Sequence, residues 1–365
     1  MINKHAWPIR GLTGRSLLPV MGSLVLMGAL TAAAQPPVPQ SATHITGSTR
    51  LIATISLGPQ LAHLAYNVAT DPLTHMIYVT EPQGLAVING RTDKVVTTIP
   101  LPRGPHGAPD CPTSDILLFR LCNLATDPLT GRVYVTDAVQ HAVVVIDGRT
   151  NKLAATIPVG GAMYWIAADP LTGTVFVQDW RASGNQVVVI DGRTDKIVAR
   201  IPENFPDSFG IAVNPSTSKV YVNGGSSSGE LVIDARTNKA VGVVPGAGGW
   251  GIATDPRTDT IYTAAPGGEG PNILQVINGR TDTVTQNISL QSPLRVATDP
   301  LTHFVYVADD SNLVVVDGRT DTVMQTITLP SAIPAVIGIA TDPLANRVYV
   351  TNPFEHTVSV LAGSK

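Results

Sequence analysis

An Asp-Pro or Asn-Pro turn recurs seven times along this chain, and that recurrence limits the possible folds more than any other feature of the sequence. The turn prolines are Pro72, Pro128, Pro170, Pro215, Pro256, Pro300 and Pro343, so successive spacings are 56, 42, 45, 41, 44 and 43 residues. Five of the six intervals match a four-stranded propeller blade, and the first is longer. A linear solenoid of such units would need polar caps at both ends, and none is visible.

Each copy holds four strand signals separated by turn chemistry. Around Pro128 the expected strands are A at 123–126, B at 132–136, C at 141–146 and D at 152–157. The A–B turn opens with Asp or Asn, whose side chain can bond the backbone that follows, and continues with Pro, whose ring presets φ. Further into the same turn stand His75, Gly131, Gly173, Ser218, Asp259, His303 and Asn346, nearly all residue types that tolerate a left-handed backbone. His75 and His303 therefore read as turn residues and not as metal ligands. The C–D turn repeats as Asn89-Gly90-Arg91-Thr92, Asp147-Gly148-Arg149-Thr150 and four similar copies. Asn-Gly and Asp-Gly between apolar runs signal hairpins, and the repeated arginines are expected to pair with turn carboxylates.

Seven A–B turns face only six C–D turns, because the chain stops soon after a strand C at 357–361. The missing strand D lies at the other end, where Arg50 to Leu57 matches Lys152 to Val159 in pattern. The expected fold is thus all-β: a seven-bladed β-propeller of four-stranded antiparallel blades over residues 49–365. Its N-terminal strand completes the last blade and leaves no seam of unpaired edges.

Repeats of the form ATDPLTGRVYVT followed by VVVIDGRTNKLAATIPV resemble the YVTN family of β-propeller repeats, WD40-like in blade period. The resemblance covers residues 50–362 and implies an exported or cell-surface protein of bacteria or archaea. It implies no single activity, since propellers host binding scaffolds, lyases, lactonases and redox enzymes.

The first 34 residues read as a secretory signal: Lys4, Arg10 and Arg15, then an apolar run from Leu17 to Leu30, then Ala32-Ala33-Ala34. Neither a lipoprotein cysteine nor an adjacent arginine pair is present, so a Sec-type signal and a periplasmic or secreted bacterial protein are expected. Residues 35–48 read as a flexible, Pro-rich linker, and no membrane span is expected after cleavage. Removing three cations and no carboxylate takes the formal charge from −3 to −3 − 3 = −6. That balance, with no basic stripe, argues against a nucleic-acid partner. A monomer is expected.

Residues that break the repeat are the candidates for function, and nearly all fall in the D–A and B–C loops, the opposite face from the A–B and C–D turns. Trp165, Trp180 and Trp250, every Trp beyond the signal, map there with Tyr66, Tyr164, Phe205 and Phe209. They either plug the channel or form a platform for a sugar, peptide or aromatic ligand. Four positions before each turn Asp or Asn lies a ring of Asn67, Asn123, Trp165, Gly210, Gly251, Arg295 and Gly338. Its one cation, Arg295, can clamp a carboxylate or phosphate, or pair with Asp309 or Asp310. Glu355 and His356 in the last B–C loop, with His63 in the next D–A loop, form a possible acid/base trio. Cys111 and Cys122, in the loop that lengthens the first interval, are expected to form a disulfide, with free thiols as the alternative. The same loop offers His106 and Asp110 as specificity residues. No HExxH, GxSxG, CxxCH or CxxC motif occurs, and no metal or cofactor is predicted. The expected function is a ligand- or protein-binding scaffold acting through the D–A/B–C face. The alternative is a periplasmic lyase, hydrolase or redox enzyme with its site at the channel mouth.

Overall fold

The structure is a computed structural model that describes residues 48–58, 67–81, 84–102, 123–138, 140–181, 183–203, 205, 208–225, 229–267, 271–329 and 338–364. Twenty-eight strands, β1 to β28 in chain order, form seven four-stranded antiparallel sheets among these residues. Six sheets use four consecutive strands each. The seventh has the order β1-β28-β27-β26, with β1 (Arg50–Ser56), β26 (Ile339–Asp342), β27 (Arg347–Asn352) and β28 (Thr357–Ala362). The expected seven-bladed propeller, closed by its own N-terminal strand, is therefore the observed fold.

The equivalence of β1 to a strand D is visible in its register. In all six other blades the C–D pairing shifts once, leaving Val96, Ala154, Val198, Val241, Thr285 and Met324 unpaired, and β1 shifts likewise at Ile52. A bulge at this point bends the outermost strand and turns the extra side chain outward. That geometry accounts for several exposed apolar residues, including Val96, Val198, Val241 and Ile52.

No single core fills the molecule. Seven apolar clusters occur, and each joins two successive blades; that containing Ile55, Ile77, Tyr349 and Val358 joins the last blade to the first. Strands B and C are therefore buried on both faces, as their unbroken runs of β-branched residues require.

A hydroxyl belt ties the innermost strands. Thr126 Oγ1 donates to Thr70 O, Thr254 to Val213 O, Thr298 to Thr254 O and Thr341 to Thr298 O at 2.6–2.7 Å. Thr70 donates to Thr341 O across the closure. Ala168 and Val213, which replace this Thr in blades three and four, interrupt the belt.

The A–B turns follow the sequence reading: His75, Gly131, Gly173, Ser218, Asp259, His303 and Asn346 all have positive φ. His75 Nδ1 and His303 Nδ1 each lie 2.7 Å from the turn carboxylate of the preceding blade, Asp342 and Asp255. The C–D turns close antiparallel hairpins, as expected. Their left-handed residue is Asp93, Asn151, Asp195, Asn238, Asp282 or Asp321, one place after the Thr, and Gly90, Gly148, Gly192, Gly279 and Gly318 are not among the positive-φ residues. Glycine is needed there because the strand-B tyrosine of the preceding blade reaches in. A Cβ would stand 2.7 Å from Tyr78 Oη at Gly148, 2.4 Å from Tyr134 Oη at Gly192 and 2.6 Å from Tyr262 Oη at Gly318. The one blade with Phe at the tyrosine position, Phe176, is followed by the one blade with Ala at the glycine position, Ala235.

The arginine expectation holds for Arg280, which pairs with Asp259 at 2.6 Å. Other ion pairs on this face start from strand B and reach the next blade: Arg132 to Asp195, Lys219 to Asp282 and Arg347 to Asp93. Six of the eight strand limits expected around Pro128 also move by one residue. Asp127 is still paired with Arg132, so strand A runs Leu124–Asp127, and His141 has φ 55, so strand C starts at Ala142.

Candidate functional site

The ring read four positions before each turn Asp or Asn lines an axial cavity. Asn67, Asn123, Trp165, Gly210, Gly251, Arg295 and Gly338, with the residue after each, enclose about 180 Å3 at the D–A end of strand A. Arg295 is the only charged residue among the described lining residues.

Two blades depart from the short strand A of their neighbours. β10 (Ala162–Asp169) and β22 (Pro293–Asp299) are long, and each is bulged near its start, between Met163 and Ile166 and between Pro293 and Arg295. A bulge re-aims the side chains beside it. Here the two bulges turn Trp165 and Arg295 toward each other from blades three and six, and the guanidinium carbon lies 4.6 Å from the centre of the Trp165 ring. The pair forms a bar across the channel mouth. A cation over an indole at this distance is attracted by the ring quadrupole. Arg295 Nη1 also donates to Leu294 O at 3.1 Å. Burial pulls the guanidinium down to a pKa of about 10, which leaves it charged at neutral pH but poorly hydrated. Of its two expected carboxylate partners, Asp309 instead caps the loop backbone, accepting from Gln291 N at 3.0 Å and from Ser292 N.

The residues just before the ring positions form an aromatic arc over blades three to five. Tyr164 meets Trp180 at 4.6 Å, Trp180 meets Phe209 at 5.9 Å and Phe209 meets Trp250 at 5.8 Å between ring centres. Tyr164, Phe209 and Trp250 directly precede Trp165, Gly210 and Gly251, so the arc is the rim of the cavity. All four rings are partly exposed. Trp180 Nε1 donates to Ser208 Oγ at 3.2 Å, fixing the central ring. Gly251 lets the rim close up, since a Cβ there would stand 2.6 Å from Leu294 O. Six sequence candidates thus belong to one surface with Asn67 and Asn123: Arg295, Trp165, Tyr164, Trp180, Trp250 and Phe209.

His356 has different company. It is buried, with Nε2 3.0 Å from Glu81 Oε2 and Nδ1 3.4 Å from Gly58 O. Glu81 accepts also from Thr98 Oγ1 at 3.1 Å. The hydrogen bond that His356 donates to Glu81 raises the His356 pKa against the opposing effect of burial. His356 has φ 53 and occupies the loop position that His141, φ 55, holds in blade two, so both are left-handed loop residues. Glu355 is half-buried beside it. His63, Tyr66, His106, Asp110, Cys111 and Cys122 lie outside the described residues, and with them the expected disulfide.

Sequence reasoning missed Glu81, Glu203 and Glu230. Burial raises both Glu203 and Glu230 to a pKa of about 7. Ser208 is the one hydrogen-bonding neighbour that opposes this at Glu203, and Glu230 accepts from Thr263 Oγ1 through one oxygen only. The polar residue closing strand B in five blades, namely Glu81, Asp137, Asp179, Asp309 and Asn352, was the available signal for Glu81. No three His, Cys, Asp or Glu side chains among the described residues are grouped to hold a metal ion.

No protein-family model matches the chain, and no curated protein matches its sequence. Among solved structures it is similar to Kuenenia stuttgartiensis hydrazine synthase, with a TM-score of 0.66 and 15% identity over 81% of this chain and 94% of that one. At that identity the likeness shows the propeller fold alone.

Proposed function

We propose that this protein is an exported propeller of the YVTN repeat type that binds a ligand on its D–A/B–C face, acting as a scaffold in the periplasm or medium as a monomer. The observation that carries this reading is the arc of Tyr164, Trp180, Phe209 and Trp250 on the rim of the axial cavity. Aromatic faces left partly exposed around a concave, partly polar site are the usual form of a binding surface. Among the described residues the turn face has no such arc: its rings are the buried strand-B aromatics and Phe304, which borders a small cavity with Met324 and Gln325. His356 supports the scaffold over the enzyme: its ring is engaged by Glu81 where the last blade meets the first, which is a structural duty.

The test uses the three tryptophans beyond residue 34, all at this face, as intrinsic reporters. Soluble saccharides, short peptides and aromatic acids are titrated against the mature chain while emission is followed. A saturable shift that is lost on Trp250→Ala with Trp180→Ala supports the reading. Unchanged emission with every class, together with ligand capture that survives the double substitution, overturns it.

A further inference from the structure

Resting on that reading, we infer that the site takes a small acid in which a carboxylate is attached to a ring with a flat face. The carboxylate enters the axial cavity at Arg295, and the ring lies on the aromatic rim of blades three to five.

The sign of the ligand follows from the lining. Arg295 is the one charged residue among the described residues of a cavity otherwise lined by two asparagines, three glycines, a tryptophan and aliphatic side chains. A guanidinium that has lost much of its water and whose pKa burial has lowered gains more from an anion than an exposed one does. The guanidinium carbon lies over the Trp165 ring, 4.6 Å from its centre. Hydrogen bonds to a carboxylate run in the plane of the guanidinium.

The shape follows from the channel. Arg295 and Trp165 stand on blades six and three, so their bar divides the mouth. Gly210 and Gly251 lie on one side of it, and Gly338, Asn67 and Asn123 on the other. Asn67 and Asn123 thus line the cavity on the second side of the bar that carries the guanidinium. The arc of Tyr164, Trp180, Phe209 and Trp250 rises over the first side. A ligand that reaches the guanidinium from above crosses those rings. Stacking on them needs a flat face, which an aromatic acid and the apolar side of an acidic sugar both provide. A cavity of about 180 Å3 limits the buried part to a small group.

The experiment is calorimetric titration of the mature chain at constant ionic strength with four probes: benzoate, glucuronate, and their uncharged counterparts benzyl alcohol and glucose. Variants are Arg295→Met, Arg295→Lys and Trp250→Ala, each checked for an unchanged melting transition. The expected result is saturable binding of benzoate or glucuronate, weakened at least tenfold by Arg295→Met and partly restored by Arg295→Lys. Trp250→Ala weakens the same acid, and the uncharged counterpart binds at least tenfold more weakly. Benzoate binding identifies an aromatic acid, and glucuronate binding an acidic sugar. Equal binding of acid and counterpart, or indifference to Arg295→Met while Trp250→Ala still weakens binding, overturns this inference and leaves the aromatic-face reading standing. Absence of binding by all four probes overturns it as well. Should Arg295→Met melt early, Arg295→Lys decides alone, since a lysine that binds as tightly as the arginine removes the need for in-plane, two-point recognition.

Discussion

The turn face and the loop face are the two ends of the same strands, and the carboxylates that open the C–D turns contrast with two glutamates at the other end. On the turn face Asp191 and Asp234 accept backbone N–H groups from the residues that follow them, and those bonds hold their pKa values low. On the loop face Glu203 and Glu230 are buried with a single hydroxyl neighbour each, Ser208 and Thr263, and burial lifts both to about 7. The Asp or Asn that opens a C–D turn satisfies itself locally in blade after blade, whereas Asp195 and Asp321 later in the same turns are raised by burial. A carboxylate at the head of a strand depends on what its irregular loops bring. The contrast teaches that the turn face is where this chain stabilises its ring, and the loop face is where it tolerates costs that stability alone would remove.

The largest test of that contrast is the pH dependence. A carboxyl whose folded pKa is raised from 4.5 to about 7 binds more protons when folded, so stability falls as pH rises through that window. By pH 8 each group costs on the order of 3 kcal/mol by the usual linkage conversion. Glu203→Gln and Glu230→Gln should therefore raise the denaturation midpoint at pH 8 and change it little at pH 4.5. Denaturant melts at both values check this, and an equal shift at the two pH values would break the comparison.

Next in size is the interlock between blades on the turn face. Gly148→Ala places a methyl 2.7 Å from Tyr78 Oη and should cost roughly 1–3 kcal/mol, as overpacking does. Tyr78→Phe should recover much of that loss, in a double-mutant cycle with strong coupling. Phe176→Tyr against Ala235 should destabilise for the same reason, and Phe176→Tyr with Ala235→Gly should not. Additive energies in either cycle would show that the pairing of Phe176 with Ala235 is incidental.

A smaller effect is expected in the belt. Thr298→Ala or Thr341→Ala should cost about 1 kcal/mol through a lost hydrogen bond, measured by denaturant unfolding. Smallest is the seam. His356 has a raised folded pKa, so its contribution is complete below about pH 6.5, the ordinary value, and is lost as pH rises through the folded one. Glu81→Gln should flatten the stability profile just above that pH, and an unaltered slope would remove Glu81 as the cause.

Features set by short range were legible in the sequence. Seven strand-B positions, seven left-handed A–B turn positions and the ring at the head of strand A could be aligned by counting from one proline, and the ring proved to line the cavity. The N-terminal strand could be matched to strand D because its apolar pattern repeats. What counting could not reach was proximity around the circle. Arg295 and Trp165 are three blades apart and meet only because each strand bulges inward. Glu81 and His356 are 275 residues apart in sequence and meet only at the closure. The C–D dipeptides signalled their hairpins, but the group that excludes a side chain at Gly148, Gly192 and Gly318, a tyrosine from another blade, lay beyond counting.

The closure has a consequence for how the molecule comes into being. Arg50 pairs with Ala362, so the outermost strand of the last blade is among the first parts of the ring to leave the ribosome and among the last to find its partner. Until then β28 presents an unpaired edge, the kind of surface on which chains join one another. Blades one to six hold local pairings that can form in order of synthesis, but the final pairing must close a loop spanning almost the whole ring and is slow by its topology. Refolding yield should therefore fall with protein concentration at that step. A synthetic peptide of residues 50–57 would compete for β28 during refolding and trap an open ring.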